Sequence, residues 1–153
     1  MDMDMDIPIT SLKPIYHPST KPNSKSIQTT LQTLNLQPHP EGGYYTETDR
    51  HPYRIPNPYR SDSDTTRSLS STIYYHLTPN SPTGFLHLNR SRTIHSLHRG
   101  RARYVVIHAD LADGTGRALA PVTSFVVGPD IEKGERVQWV VDYGGKLTGI
   151  GIR

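Results

Sequence analysis

Short stretches of alternating apolar and polar side chains recur along most of this chain, and turn-forming residues separate them. Alternation with a period of two is typical of β-strands that bury one face. The intervening segments are rich in Gly, Pro, Asn and Asp, which favour reversals of the backbone. About eight short strands at regular spacing predict an all-β sandwich or small barrel. The expected strands cover residues 44–48, 70–77, 85–88, 93–98, 101–109, 122–127, 137–141 and 147–152.

One segment has the apolar spacing of a helix instead. Ile27, Leu31 and Leu34 are separated by four and three residues, so a helix would place them on one face. We expect this short helix between residues 26 and 36, with Ser26 as its N-cap. The proline at position 38 would end it, because the residue before a proline is pushed out of the helical region.

The segment before this helix differs in composition. Residues 1–25 combine several prolines with Ser, Thr, Lys and Asn, and contain few large apolar groups. Such a segment buries too little surface to offset the entropy of ordering. We therefore predict a disordered tail at 1–25 and a single domain at 26–153. We also expect the segment 49–66, which contains three prolines and the sequence SDSD, to form a long loop.

Charge and composition narrow the partners that the chain is expected to have. The formal net charge of +3 permits an anionic ligand without requiring nucleic acid. The sequence contains no cysteine, which excludes disulfides and thiolate metal sites and fits a reducing, cytoplasmic location. The N-terminus lacks the basic and apolar blocks of a signal peptide, and the longest apolar runs are too short to span a bilayer. We predict no membrane association.

The chemistry is concentrated in the stretch 85–110. It holds four of the eight histidines and five arginines, placed on predicted strands. Basic residues interleaved with aromatic residues are also found in nucleic-acid binders, but the period here is that of strands with one packed face, and we predict no nucleic-acid binding. The residues are His87, His95, His98 and His108 with Arg90, Arg92, Arg99, Arg101 and Arg103.

The sequence HPEGGYYTET at 39–48 resembles a cupin family of unknown function, often called cupin family five. Further matching segments occur at 71–78, 91–95 and 125–128, and the similarity covers roughly residues 27–141. The resemblance implies an RmlC-like jelly-roll barrel, often dimeric, with a ligand cavity inside. It therefore implies a small-molecule ligand and a homodimer formed through the barrel strands.

The chain departs from the metal-binding pattern of typical cupins. Their first motif supplies two histidines and a glutamate, but here only His87 matches, since Phe85 and Thr93 occupy the other two positions. The second motif ends in a histidine that this chain lacks. The alternative is a site built from His87, His95 and His98, which requires strands 85–88 and 93–98 to pair. We predict no metal and no other cofactor, and His87 is the remaining candidate ligand.

The chain also departs from the family at its end. Family members continue for several tens of residues beyond the point where this sequence stops, and residues 142–153 resemble the family little. We expect a jelly roll that is incomplete at its C-terminus. A truncated gene product without function is one alternative for the whole chain.

The best candidates for acid–base catalysis are His87, Tyr45 and Glu47. Epimerase-like cupins pair a histidine base with a tyrosine acid, and the resemblance implies His87 with Tyr45 or Tyr75 in these roles. Glu47 shares a strand face with Tyr45 and could act together with a pocket histidine, because burial near a histidine can tune the pKa of a glutamate toward neutrality. The alternative for Glu47 is a structural salt bridge to an arginine such as Arg92.

Ligand binding has its own candidates. Arg92 and Arg103 could hold a carboxylate or phosphate in bidentate fashion, although arginines on one strand face also suit a solvated surface. His95, His98 and Tyr75 are the other expected binding residues. We expect a small polar or anionic ligand, of the sugar or nucleotide-sugar class. The alternative is an enzyme of epimerase or isomerase type.

Overall fold

Short strands are the main regular structure in the described part of the chain, as the alternating pattern predicts. A computed structural model describes residues 17–58, 65–112, 120–142 and 146–152. It contains helix α1 (Lys25–Thr33) and strands β1 (Gln37–Pro38), β2 (Tyr44–Arg50), β3 (Arg54–Pro56), β4 (Thr66–Ser68), β5 (Ser71–His76), β6 (Thr83–Leu88), β7 (Thr93–Ser96), β8 (Ala102–His108), β9 (Val122–Val127), β10 (Gln138–Val141) and β11 (Lys146–Ile152).

The described strands form four antiparallel sheets. The largest has the order β6-β11-β8-β9, so its last strand in sequence lies between two earlier ones. A second sheet has the order β1-β2-β5, while β7 pairs with β10 and β3 pairs with β4. The expected all-β class is confirmed. In the described part of the chain, no helix has the length and apolar character needed to cross a membrane.

One transverse row of the large sheet places polar groups side by side. His87 on β6 is the register partner of Thr148 on β11, and Thr148 is the partner of Val106 on β8. Val106 in turn is the partner of Thr123 on β9. Directly paired residues of neighbouring strands point to the same side of a sheet. We call His87, Thr148, Val106 and Thr123 the inner row.

The hydrophobic core lies on the same face of the large sheet as the inner row, two residues away along β8 and β9. Tyr104 is paired with Phe125 across β8 and β9, and their rings are stacked with centroids 5.3 Å apart. The Trp139 ring meets Tyr104 edge-on at 4.9 Å. Tyr104 and Trp139 are buried, and Val127 and Val141 complete the cluster. The face that carries the inner row is therefore the packed face.

The helix begins earlier and ends earlier than predicted. The Ser24 hydroxyl accepts a hydrogen bond from the Ile27 amide at 3.4 Å, so Ser24 and not Ser26 is the N-cap. The helix stops at Thr33, and Asn35 adopts a positive φ of 50°. The chain therefore leaves the helix before the proline at position 38 can act on it.

Residues 17–24 have defined contacts, in contrast to the disorder predicted for the whole segment 1–25. The Ser19 amide donates to the Pro79 carbonyl at 2.7 Å. The Asn80 side chain donates to the carbonyls of Ser19 and Lys21 at 2.8 and 2.7 Å. Residues 1–16 of the predicted tail lie outside the described residues.

The predicted loop at 49–66 contains more structure than expected. Strand β2 continues to Arg50, and β3 pairs with β4 in register from Arg54 opposite Ser68. Residues 59–64 of this predicted loop lie outside the described residues. The short β3–β4 pair was missed because its strands have only three residues each, too few to show a period.

Candidate functional site

A tight turn brings the HPEGG segment against β6. Gly42 and Gly43 have φ values of +92° and +73°, a region that non-glycine residues rarely adopt. A Cβ on Gly42 would lie 2.1 Å from the Thr83 carbonyl oxygen, so glycine permits a close approach of two backbones. The Phe85 amide donates to the Glu41 carbonyl at 2.6 Å. This contact places the Glu41 side chain next to β6.

Two acceptor atoms lie close to the same ring nitrogen of His87. Its Nδ1 lies 2.8 Å from the Phe85 carbonyl oxygen and 3.3 Å from Oε2 of Glu41. A carbonyl only accepts, so Nδ1 carries the hydrogen when the ring is neutral, and Nε2 is then an acceptor. The half-buried imidazole is thus oriented by the backbone and paired with a carboxylate, and its second nitrogen can bind a ligand proton.

Tyr75 closes the other side of this turn. Its hydroxyl donates to the Gly42 carbonyl at 2.8 Å. Burial raises the pKa of Tyr75 to about 12, and the Glu41 carboxylate adds to the shift. The ring of His39 stands edge-on to Tyr45 and Tyr75, with centroids 4.8 and 5.7 Å away. The HPEGG turn therefore joins aromatic rings to the Glu41–His87 pair.

A second histidine lies on the same face. Nδ1 of His95 is 2.9 Å from the Tyr104 hydroxyl, and the His95 ring packs against Trp139 at 5.4 Å. Burial lowers the pKa of His95, and the charge on His87 lowers it further. Burial also raises the pKa of Tyr104 well above its ordinary value. At neutral pH both groups are uncharged, and the pair is a neutral hydrogen bond.

A cavity of about 150 Å³ lies beside the inner row. Val106, Phe125 and Val141 form apolar parts of its wall, and Thr148 and Asp142 contribute polar atoms. The lining also includes His108 and Thr123, whose Nε2 and Oγ1 atoms are 3.0 Å apart. Thr148 is only 3% exposed, and its hydroxyl has no hydrogen-bond partner among the described residues.

Comparison with known proteins identifies the family. A sequence model described as "Cupin superfamily (DUF985)" matches residues 28–146, which is most of the chain. The chain belongs to this cupin family. The resemblance seen in the HPEGGYY segment is therefore confirmed, and the strands described above form its jelly roll.

Several proteins are similar to this cupin. The uncharacterized protein YML079W of Saccharomyces cerevisiae is 41% identical over 133 residues, which cover 83% of this chain and 61% of that protein. The cupin thus spans about three fifths of the length of this relative. Among solved structures, a hypothetical protein from Leishmania major matches with a TM-score of 0.64 at 30% identity, covering 86% of this chain and 71% of its own. Protein SO0799 from Shewanella oneidensis matches with a TM-score of 0.61 at 22% identity, over 87% and 71% of the two chains, and this likeness shows the fold.

Glu47 does not join the histidines of the cupin. It is exposed and forms an ion pair with Arg50, and this hydrogen bond lowers its pKa. The salt-bridge alternative thus gives the right kind of contact but the wrong partner, since Arg92 lies 3.4 Å from Asp142 instead. Glu41 is the carboxylate beside His87, and sequence reasoning missed it because its partner is 46 positions away.

The other predicted residues divide between the two faces. Four of them belong to the contacts around the HPEGG turn and the core that are described above: Tyr45, Tyr75, His87 and His95. Arg103 is adjacent to Tyr104 on β8 and so points to the opposite face, where its guanidinium donates to Ser124 at 3.2 Å. The remaining predictions, Arg92 and His98, are exposed, and His98 stands edge-on to Tyr74 at 5.5 Å.

The residues do not fit the metal that other cupins bind. The pairing that a three-histidine site requires does not occur among the described strands, because β6 pairs with β11 and β7 pairs with β10. Nδ1 of His87 is already engaged by the Phe85 carbonyl. Within the described ranges, no three His, Asp or Glu side chains are grouped so that they could hold a metal ion. We therefore derive no step that uses a metal.

Proposed function

We propose that this cupin binds a small polar or anionic molecule, of the sugar or nucleotide-sugar class, at the inner face around His87. The observation that carries the proposal is the geometry of His87. Its Nδ1 is fixed by Phe85 and Glu41, so Nε2 is a preoriented acceptor for a ligand hydroxyl. Small-molecule sites combine apolar walls with a few such oriented polar groups.

Arg136 supports the anionic part of this proposal. The sequence reasoning did not select it, yet its guanidinium lies 4.1 Å from the centroid of the Phe125 ring. Arg136 is half-buried, and in the described part of the chain it forms no ion pair with a carboxylate. A cation held on an aromatic ring without a counter-charge favours an anionic group nearby.

The second candidate function is proton transfer of the epimerase or isomerase type. His87 with Glu41 has the arrangement of a histidine base whose protonated form a carboxylate stabilises. Nε2 would take a proton from a carbon next to a carbonyl, and the resulting His87 imidazolium would return a proton, after exchange with solvent, to carbon of the enolate. Tyr75 is a neutral phenol at physiological pH. It would donate to the enolate oxygen by exchanging its hydrogen bond to the Gly42 carbonyl for one to the ligand.

Titration with UDP-glucose tests the binding function. We expect calorimetry to show binding to the unmodified protein, and His87→Gln to weaken it by roughly tenfold, because a hydrogen bond to an oriented group contributes ~1.5 kcal/mol. His98→Gln is the matched control, since that histidine is exposed on Tyr74. Equal affinity in the two variants, or no binding to the unmodified protein, contradicts the proposal.

A solvent-exchange experiment distinguishes the enzyme from the binder. The protein is incubated in D₂O with a UDP-linked 4-keto hexose, and mass spectrometry measures deuterium at the carbons beside the carbonyl. Incorporation that depends on His87 supports proton transfer. Binding of the same compound without incorporation supports a binder that does not catalyse exchange.

A further inference from the structure

We infer that His95 determines the specificity of the ligand site by donating from Nε2 to a carbonyl or carboxylate oxygen of the ligand, and this inference rests on the proposed function of His87. That function uses the acceptor nitrogen of His87 and leaves His95 without a role. Two aromatic contacts fix the second ring. Its Nδ1 lies 2.9 Å from the Tyr104 hydroxyl, and its centroid lies 5.4 Å from that of Trp139.

The Tyr104 hydroxyl decides which nitrogen of His95 carries the hydrogen. Tyr104 is only 3% exposed, so its hydroxyl hydrogen needs an acceptor inside the protein. In the described part of the chain that acceptor is Nδ1 of His95, since the nearby indole of Trp139 is only a donor. The reverse arrangement leaves the hydroxyl hydrogen buried and unbonded, which disfavours it by roughly tenfold or more. The neutral ring therefore carries its hydrogen on Nε2.

His95 and His87 thus present opposite groups to a ligand. Nδ1 of His87 donates to the Phe85 carbonyl, so its Nε2 accepts. Nε2 of His95 has no hydrogen-bond partner within the described ranges, yet it is not sealed from solvent as the indole nitrogen of Trp139 is. Burial lowers the pKa of His95, so the ring is uncharged at neutral pH. His95 is therefore an accessible, uncharged donor.

The register of the large sheet places the two histidines within reach of one small molecule. His87 belongs to the inner row, which includes Val106 on β8, and Tyr104 lies two residues from Val106 on the same face. Two strand spacings and two residues correspond to ~12 Å between the backbones of His87 and Tyr104. His95 lies at the tip of the Tyr104 side chain. A sugar-sized ligand on this face can therefore lie between His87 and His95.

The surroundings of His95 favour a ligand group that only accepts. A ligand hydroxyl would bring a hydrogen that needs an acceptor of its own, whereas the His95 ring packs against the aromatic rings of Tyr104 and Trp139. Carbonyl and carboxylate oxygens bring no hydrogen, and a charged acceptor forms the stronger bond. Among sugars and nucleotide sugars, keto sugars and sugar acids are therefore favoured over sugars that carry hydroxyl groups alone.

Three UDP-linked compounds test the donor. UDP-glucuronic acid differs from UDP-glucose by a carboxylate in place of a CH₂OH group, and a UDP-linked 4-keto hexose carries a carbonyl. Calorimetry on the unmodified protein should show one of these two binding roughly tenfold more tightly than UDP-glucose, because it gains a hydrogen bond at His95. A preference for the carboxylate assigns a sugar acid, and a preference for the carbonyl assigns a keto sugar.

Substitutions at position 95 show whether the preference depends on this ring. His95→Phe keeps an aromatic ring against Trp139 but has no donor, so it should abolish the preference and leave UDP-glucose binding unchanged. His95→Gln has an amide that can donate near the position of Nε2, so it should retain part of the preference. His98→Phe is the matched control, since that histidine is exposed, and it should change neither.

Long-range ¹H–¹⁵N NMR checks the tautomer without a ligand. The spectrum should show His95 with its hydrogen on Nε2, and Tyr104→Phe should remove this selection and reduce the preference, which decides the matter if His95→Phe does not fold. A hydrogen on Nδ1 of His95, or a preference that is absent from the unmodified protein or persists in His95→Phe, overturns the inference, while UDP-glucose binding that depends on His87 leaves the proposed function standing. If none of the three compounds binds, both fail.

Discussion

His95 is a residue whose charge is set by where the fold places it. Its imidazole is largely buried between Tyr104 and Trp139, and this burial lowers its pKa, as it lowers that of His76. A proton added to either ring is therefore less favourable in the folded protein than in the unfolded chain, where the ordinary value is 6.5. The folded protein therefore favours the neutral forms of His95 and His76.

Stability is therefore expected to fall on mild acidification. Above pH 6.5, His95 is neutral in both the folded and the unfolded state, so it does not change the free energy of unfolding. Below it the unfolded chain binds the proton first, so the free energy of unfolding decreases until the pH reaches the lower folded pKa. The slope in this window is up to about 1.4 kcal/mol per pH unit for each such histidine.

Urea denaturation at a series of pH values measures this slope. His95→Gln should make it shallower because one of the buried titrating groups is gone, whereas His98→Gln alters an exposed ring and should leave it unchanged. Identical slopes in the His95→Gln variant and the unmodified protein would show that His95 does not titrate differently in the folded state.

Among the elements, the HPEGG turn is where sequence reasoning succeeds most fully. Two consecutive glycines predict positive φ or a close backbone contact, and Gly42 has both. The turn also carries Glu41 to His87. Its conformation therefore matters for the site as well as for the fold.

Two glycine substitutions separate these effects. Gly100→Ala places a side chain at a φ of +91° with nothing within 4 Å, so it should cost ~1 kcal/mol of stability from backbone strain alone. Gly42→Ala adds an overlap with the Thr83 carbonyl, and its cost should be at least ~3 kcal/mol. Urea denaturation measures both. Similar losses for the two variants would contradict the close contact between the turn and β6.

The strands show where local pattern stops being informative. Alternation predicts β9 with its observed bounds and β8 to within a residue at each end, because each strand buries one face. It does not predict that β6 pairs with β11, whose sequence lies about 60 positions later. For the same reason, local pattern could not decide whether 85–88 pairs with 93–98, the condition for a three-histidine site, because each strand's partner depends on the whole sheet.

The same limit explains why sequence reasoning found only part of the candidate site. His95 could be selected from residue type and strand position, whereas the resemblance to the cupin family suggested His87 with Tyr45 or Tyr75. Glu41 could not be assigned to His87, because only the folded turn brings the two together. Arg103 was predicted to bind an anion together with Arg92 or to lie on a solvated face; its parity relative to Tyr104 puts it on the face opposite the inner row, where it donates to Ser124.

For the whole molecule, the central claim is that one face of the β-structure gathers the chemistry. His87 and His95 lie on this face although they come from sheets that do not pair directly. The His95 ring lies against Tyr104 and Trp139 of the core, on the face of the β-structure that also carries His87. Exposed histidines such as His51 and His98 lie elsewhere. A ligand on the inner face should therefore change the surroundings of His87 and His95 but not those of His51 and His98.

Long-range ¹H–¹⁵N NMR of the histidine side chains tests this claim most directly. At neutral pH the spectrum should show His87 with its hydrogen on Nδ1, and addition of UDP-glucose should shift the signals of His87 and His95 while those of His51 and His98 stay in place. A spectrum in which His87 carries its hydrogen on Nε2, or in which only the exposed histidines respond to UDP-glucose, would contradict the account.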